Sequence, residues 1–355
     1  MTSLDQAGAV RRGESLDAEK IAAYLKANLP DLVGPATVRQ FHSGFSNLTY
    51  LIGMGETELV LRRPPFGRKA KSAHDMSREY RILKALTPVF PHVPEPLLYC
   101  DDPAVMDAPF YVMQRLRGVI LRKELPDAQA LSAAAAGKLC RGWVDVLGEL
   151  HGLDYQSCGL ADLGNPDGYV ARQVNGWSKR YREARTDDVP DFEAVMAWLS
   201  AGMPADFSTP ALVHNDYKFD NVILDPADLT RIIGVLDWEM ATIGDPLMDL
   251  GASLGYWVEP GDSDALKLIR TLPTLCPGML TRRQIVALYE KKAGLPIENF
   301  AWYYCFGLFR LAVIAQQIYY RFFHGQTTDK RFEMLGFAVE ILERAAVRVM
   351  ETGEY

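Results

Sequence analysis

Near Gly118 the hydrophobic pattern of this chain changes period, and that change divides it into two unlike parts. Upstream, ATVRQF (36–41), NLTYLI (47–52) and ELVLRR (58–63) are short strand-like runs separated by Gly- and Ser-containing turns. They predict three antiparallel strands with GMGET (53–57) as a hairpin turn. Residues 74–87 return to helical periodicity, and two more strands are expected near 97–100 and 110–115. Downstream the pattern is helical over 128–150, 166–185, 190–200, 281–293, 298–323 and 329–352. One island interrupts it, ALVHNDYKFDNVILDPADLTRIIGVLDWE (211–239), whose apolar runs are too short for helices and are broken by Pro, Asn and Asp. The expected fold class is therefore α+β with two lobes: residues 1–34 a tail and one helix, 35–117 a small antiparallel-sheet lobe, 118–355 a large helical lobe. Residues 1–14 read as a loose tail. The first helix follows from SLDAEKIAAYLKANL (15–29), with Ser15 as its N-cap and Pro30 as its stop.

Composition narrows the function classes. A length of 355 residues suffices for a sizeable core without disulfide or metal staples. The 48% hydrophobic and 23% charged fractions exclude a mainly disordered or fibrous chain. With 38 Lys+Arg against 45 Asp+Glu, the net charge of −7 disfavours a nucleic-acid partner. Five scattered cysteines without a C-x-x-C pair, and six scattered histidines, argue against structural zinc. The N-terminus lacks an apolar leader, and the apolar stretch 300–320 contains Arg310, Gln316 and Gln317, so it reads as a core helix and not a membrane span. A reduced, cytoplasmic setting is expected.

The island is where chemistry is concentrated. In HNDYKFDN (214–221) an Asp is followed five positions later by an Asn, and a second Asp, Asp237, ends the next apolar run. Phosphoryl transfer from ATP uses such a set. Asp216 would accept the proton of an attacking hydroxyl, while Asn221 and Asp237 would hold Mg²⁺ against the phosphates.

HNDYKFDN resembles the H-G-D-x-x-x-x-N catalytic loop of the aminoglycoside phosphotransferase and choline-kinase-like family, relatives of the protein kinases. VLDWEMATIGDPLMDLG (235–251) is similar to that family's D-W-E metal segment and the G-D-P-x-x-D-L that follows it. FHSGFSNLTYLI (41–52) resembles its Gly/Ser-rich hairpin, ELVLRRPPFG (58–67) its strand bearing a phosphate-contacting cation, and SREYRIL (77–83) its helix with a Glu. PFYVMQRLRG (109–118) resembles the hinge, and LGELHGLD (147–154) the L-H-x-x-D. The similarity runs through most of the chain and lies nearest the kinase-like domains associated with acyl-CoA dehydrogenases. The dehydrogenase domain itself would need several hundred further residues.

The resemblance implies a two-lobed protein-kinase-like fold with ATP, or GTP, and Mg²⁺ as cofactors. It places Ser43, Gly44, Ser46 and Asn47 over the phosphates, Arg62 paired with Glu79 facing them, and Met113 and Arg115 at the hinge. Lys218 would act beside Asp216 as a mobile positive charge. The chain departs from the family pattern at Asn215, where Gly is common, at Phe45 in the loop, and at Arg62, where Lys is usual. An Arg can pair with phosphate bidentately but lacks the slim reach of Lys.

Plainer readings stand beside these. Asp216, Asn221 and Asp237 could be ordinary turn residues bounding strands, but their register inside two longer matches favours the functional reading. His214 is expected to brace the backbone, and Asp245 and Asp249 to cap and brace the following helix. Arg310, alone in an apolar aromatic helix, needs an anionic partner: an acid of the helical lobe, or an anionic acceptor helped by the basic segment around Arg172 and Lys179, with Trp177 a further candidate contact. GMGETE is not a dinucleotide fingerprint, Gly137-Lys138 is not a P-loop, and no G-x-S-x-G elbow is present.

The expected function is an ATP- and Mg-dependent small-molecule kinase. Its acceptor would be a hydroxy acid or hydroxyacyl compound and not an aminoglycoside, because ARQVNGWSKRYREAR (171–185) is basic and aromatic. The alternative is a pseudokinase module that holds a nucleotide or acyl-CoA without transfer. Neither nucleic acid nor membrane is expected as a partner, and a link to acyl-CoA metabolism is.

Overall fold

The computed structural model describes residues 5–42, 47–66, 75–125, 131–294 and 296–355. The first part forms a five-stranded antiparallel sheet from β1 (Ala36–Phe41), β2 (Leu48–Met54), β3 (Thr57–Arg63), β4 (Pro96–Cys100) and β5 (Phe110–Gln114), in the order β1-β2-β3-β5-β4. Side chains alternate across it as strand geometry requires. Tyr50, Ile52, Leu59, Leu61, Phe110 and Val112 pack beneath α1 (Ala18–Asn28) in one core. Val60, Tyr111 and Met113 join the main core on the other side, together with α2 (Met76–Leu86). Arg62 pairs in register with Tyr111, and Val60 with Met113. The strand alternation thus carries Arg62 to the face that meets the helical lobe.

Two N-terminal expectations are corrected. The N-cap of α1 is Asp17, which accepts from the Lys20 N–H at 3.0 Å, and not Ser15. Residues 5–14 are not a loose tail. Gly8 exchanges backbone hydrogen bonds with Gln40 of β1 at 2.8 and 3.0 Å, and Tyr50 donates to the Glu14 carbonyl at 2.8 Å. At the far end of this strap, Asp5 N–H donates to the Gly118 carbonyl at 3.2 Å. Backbone pairing and polar side chains hold it, which hydrophobic periodicity does not report. Truncation to residue 15 should therefore lower stability by on the order of a few kcal/mol, several hydrogen bonds at about 1 kcal/mol each. An unchanged urea midpoint in the truncated protein would refute this.

The helical lobe contains α3 (Ala133–His151), α4 (Tyr169–Ala184), α5 (Glu193–Ala201), α6 (Pro246–Leu254), α7 (Asp264–Leu268), α8 (Arg282–Ala293), α9 (Phe300–Phe323) and α10 (Leu335–Thr352). The island is two small antiparallel pairs: β6 (Ala211–Val213) with β9 (Thr242–Gly244), and β7 (Val222–Leu224) with β8 (Ile232–Val235). It therefore runs past 239 to β9. The two-lobed α+β architecture is the one the change of period predicts.

Close backbone approaches fix the island. Val119 and Leu224 exchange hydrogen bonds at 2.9 and 2.8 Å, laying the segment that follows β5 on the β7–β8 hairpin. A Cβ at Gly118 would lie 2.2 Å from Ile223 Cγ2 and 2.4 Å from the Leu224 carbonyl, so only glycine fits there. Helices α6 and α9 touch through Gly251 and Gly307: a Cβ on Gly307 would stand 2.0 Å from the Gly251 carbonyl oxygen. All five cysteines are free, and no helix among the described residues is long and apolar enough to cross a membrane.

Candidate active site

The segment between β6 and β7 alternates inward and outward. Tyr217 and Phe219 are fully buried against Trp143 and Trp257, with Trp143–Tyr217 ring centroids 4.7 Å apart and Phe219–Trp257 5.3 Å. Asp216 and Lys218 consequently point the other way and stay partly exposed. The turn that starts the segment is left-handed at Asn215, φ 63°. Glycine takes this conformation freely and asparagine tolerates it. The departure from the family's glycine therefore preserves the turn, and adds a bond from Asn215 Nδ2 to the Met240 carbonyl at 3.1 Å.

The bracing residues behave as expected. Asp249, wholly buried on α6, accepts from the N–H groups of His214 and Asn215, each at 2.7 Å, and from His151 Nε2 at 3.1 Å. Burial pushes its carboxyl up, but the His151 hydrogen bond and the charges around it hold it below the usual carboxylate range. Asp245 caps α6 through the Leu247 N–H at 2.7 Å, and burial pushes its carboxyl up to about 6. His214 Nε2 lies 2.9 Å from the Leu236 carbonyl, a bond only a protonated nitrogen can donate. Its Nδ1 accepts from Asp216 N–H at 3.2 Å. Those contacts require the neutral ring, and burial lowers its pKa accordingly.

Asp216, Lys218 and Asn221 meet directly. Lys218 Nζ is 2.8 and 3.0 Å from the two Asp216 oxygens, and Asn221 Nδ2 donates to Asp216 Oδ2 at 2.7 Å. With its NH₂ on Asp216, Asn221 turns its amide oxygen, an acceptor, elsewhere. Lys218 also lies 4.7 Å from the Tyr256 ring centroid. Burial opposes its charge, but Tyr256, Asp216 and Asp220 outweigh it and raise its pKa. The Leu236 N–H donates to the Asn221 carbonyl at 2.8 Å, so Asn221 and Asp237 sit at the same open end of the β7–β8 hairpin.

Trp238 is buried against His214, ring centroids 4.8 Å apart, which leaves its neighbours Asp237 and Glu239 to face the lobe junction. There one guanidinium gathers three carboxylates. Arg62 Nη2 is 2.9 Å from Asp237 Oδ1 and 3.9 Å from Glu239 Oε2, and its Nε is 3.4 Å from Glu79 Oε2. Glu79 also accepts from Tyr111 Oη at 2.8 Å and Asn47 Nδ2 at 3.2 Å, and Asn47 reaches Glu239 at 2.8 Å. Burial pushes the Asp237 carboxyl up, but Arg62, by charge and hydrogen bond, more than reverses this and holds it below the usual range. At Glu79 burial wins, and the carboxyl is raised despite Arg62. The Arg62–Glu79 contact expected from the sequence is thus present, extended by Asp237.

Glu239, Tyr111 and Tyr256 were not singled out from the sequence. Glu239 could have been, since it lies two residues after Asp237 across a buried tryptophan. Tyr111 shares the strand face of Met113. Tyr256 carries no local signal.

Other sequence candidates sit elsewhere or do something else. Ser43, Gly44, Phe45 and Ser46 lie outside the described residues. Met113 is buried on the inner sheet face. The Arg115 side chain is taken by Glu58 and the Asp5 carbonyl, so at the hinge it braces the strap. Arg172, an expected acceptor contact, instead holds the carbonyls of Asn165 and Asp167 in the loop that leads into α4. Trp177 is buried beside Arg310, whose Cζ is 5.0 Å from the ring centroid. Arg310 donates to the Asn215 carbonyl at 2.5 Å. The acid partner expected for it within the helical lobe is not found among the described residues.

For a divalent metal the donors that could serve are Asn221 Oδ1 and the Asp237 carboxylate, both hard oxygens. Among the described residues no group of three or more His, Cys, Asp or Glu forms a metal cage. One carboxylate and one amide suit Mg²⁺, which keeps water and phosphate ligands rather than an all-protein cage.

The chain has relatives in sequence and in fold. A family model described as the phosphotransferase enzyme family, APH, fits residues 37–275, from β1 through the whole island and α7. The chain belongs to this phosphotransferase family. It is 33% identical over 339 residues to acyl-CoA dehydrogenase family member 10 of Mus musculus, which covers 95% of this chain but 31% of that protein. The chain thus spans less than a third of that relative's length. A crystal structure from Ralstonia eutropha, provisionally described as an aminoglycoside phosphotransferase, superposes with a TM-score of 0.79 at 29% identity, covering 94% of this chain and 98% of that one. Spectinomycin phosphotransferase, solved with ADP and spectinomycin, shares the fold at 13% identity, with a TM-score of 0.61 over 94% and 99% of the two chains. The two-lobed kinase-type fold is that of the family.

Proposed function

We propose that the protein is an ATP- and Mg-dependent phosphotransferase that moves the γ-phosphate to a hydroxyl of a small molecule. The observation that carries this reading is the convergence of Asp216, Asn221, Asp237 and the Arg62–Glu79 pair at one junction between lobes. Residues 35–117 would form the nucleotide lobe, with the base against Met113 and the 113–116 hinge, and residues 118–355 would present the acceptor. Asp216 takes the proton of the attacking hydroxyl at a carboxylate oxygen. Lys218, held by that carboxylate, offers its ammonium to the transferring phosphoryl oxygens. Arg62, fixed by Glu79, aims a second cation at the phosphates. Asn221 and Asp237 would hold Mg²⁺, whose charge neutralises the phosphates and stabilises the loose transition state. Most of the work is positioning.

The acceptor belongs to the same proposal. A hydroxy acid or hydroxyacyl compound, such as a hydroxyacyl-CoA, is favoured over a polycationic aminoglycoside. Lys218 and the buried Arg310 put positive charge around Asp216, and the name of the mouse relative points to acyl-CoA metabolism. The basic residues of 171–185 support this less than their number implies, because Lys179 and Arg182 pair with Glu183 and Glu193. A cytoplasmic setting fits five free cysteines.

The deciding experiment is a phosphotransfer assay with Mg²⁺ and ATP or GTP across alcohols, hydroxy acids, hydroxyacyl-CoAs and aminoglycosides. Transfer to a hydroxy acid or hydroxyacyl compound is expected. Nucleotide binding without transfer to any acceptor would leave the binding-module reading instead, and preferential phosphorylation of an aminoglycoside would overturn the acceptor class.

A further inference from the structure

We propose that Arg310 is a positioning residue for Asp216: from α9 it holds the peptide bond that leads into the catalytic carboxylate, and fixes the distance between that carboxylate and Asp237. This rests on the functional reading above.

The peptide between Asn215 and Asp216 has both polar groups held. Its carbonyl accepts from Arg310 Nη2 at 2.5 Å, and its N–H donates to His214 Nδ1 at 3.2 Å. The N–H groups one and two residues earlier end on the carboxylate of Asp249, both at 2.7 Å. The left-handed turn therefore lies between a buried anion on its N–H side and a buried cation on its carbonyl side. Both charges complement the peptide dipoles they face. This accounts for a guanidinium that is 3% exposed yet has no ion-paired carboxylate among the described residues. Burying such a charge is costly. Here the Asn215 carbonyl and the Trp177 ring offset that cost.

The two ends of the clamp are set by one contact. Gly251 and Gly307 bring α6 and α9 into backbone contact. Asp249 lies two residues before Gly251, and Arg310 lies one turn after Gly307. Arg310 also ties the turn to the metal segment. Its Nη2 is 3.5 Å from Met240 Sδ, and Asn215 Nδ2 donates to the Met240 carbonyl. Met240 is three residues after Asp237. A shift of α9 against the turn would therefore move the proton acceptor relative to the metal carboxylate. Displacement of about 1 Å at a reacting group can cost on the order of 10²-fold in rate.

The test compares Arg310→Met and Arg310→Lys with the parent protein by three measurements. These are steady-state kinetics with the best acceptor from the panel, thermal melting, and hydrogen–deuterium exchange. Positioning predicts that Arg310→Met loses about 10²-fold in kcat while the acceptor KM and Mg·ADP affinity stay unchanged. Exchange should rise in 214–221 and 237–241 and not elsewhere in the helical lobe. Arg310→Lys should recover part of the kcat, because an ammonium can still reach a carbonyl, and it carries the test if the Met variant does not fold. A raised acceptor KM at unchanged kcat would overturn the proposal in favour of a substrate contact. A lowered melting temperature with kcat and local exchange unchanged would reduce Arg310 to a stabilising residue. If the parent protein transfers phosphate to nothing, the phosphotransferase reading fails, while the exchange measurement still decides whether Arg310 orders the two segments.

Discussion

Asp216→Asn is expected to lower kcat for phosphoryl transfer by about 10²–10⁴-fold, the usual contribution of a positioned general base. The substitution keeps the shape of the side chain and one acceptor oxygen, so the local frame should survive. Its backbone N–H still meets His214, and the Asn215 turn is held independently by Asp249 and Arg310. Lys218 loses its nearest carboxylate, at 2.8 Å, but keeps Asp220 at 3.9 Å and the Tyr256 ring. Mg·nucleotide affinity should change little, because Asp237 and Arg62 are untouched and Asn221 Nδ2 keeps its bond to the backbone carbonyl at position 216, 2.9 Å away. The measurement is kcat on the identified acceptor, paired with a nucleotide titration. Full turnover by the variant would remove Asp216 from the chemistry.

What the sequence discloses here depends on whether the signal is local. The change of period at Gly118 reports the lobes because strand and helix patterns are properties of neighbouring residues. The register of Asp216, Asn221 and Asp237 is legible for the same reason: alternation of Tyr217 and Phe219 inward with Asp216 and Lys218 outward is written in consecutive residues. Contacts made across long separations are not. The strap of residues 5–14 is held by backbone pairing to β1 and has no hydrophobic stripe. Arg115 turns to Glu58 and Asp5, and Arg172 to the loop before α4, because carbonyls and carboxylates near in space compete for guanidinium donors. Arg310 shows the boundary between the two cases. A lone cation in an apolar helix does announce a buried partner, but the partner is a carbonyl set by the Gly251–Gly307 contact. Neither glycine advertises that contact locally.

Asp237→Ala is expected to cost on the order of 10²-fold or more in kcat/KM for ATP, since charge stabilisation by a bound metal is worth several kcal/mol. The argument runs through what remains. The carboxylate is the only anionic member of the Asn221–Asp237 oxygen pair, and an amide alone binds a hard divalent cation poorly. Arg62 would keep Glu79 at 3.4 Å and Glu239 at 3.9 Å, so its guanidinium would not be stranded. Asp237 itself is left-handed, φ 68°, and its side chain is 30% exposed, so truncation leaves no sealed cavity. An alanine accepts that backbone less readily than an aspartate, which would lower the melting point modestly without preventing folding. Arg62, by charge and hydrogen bond, holds the wild-type Asp237 carboxyl below the usual range against the effect of burial, so it is ionised at neutral pH. The signature to look for is a steep loss of Mg²⁺ dependence in nucleotide binding, measured by titrating Mg²⁺ at fixed ADP. A Mg²⁺ titration indistinguishable from that of the parent would mean that Asp237 serves Arg62 alone and that the metal, if used, is held elsewhere.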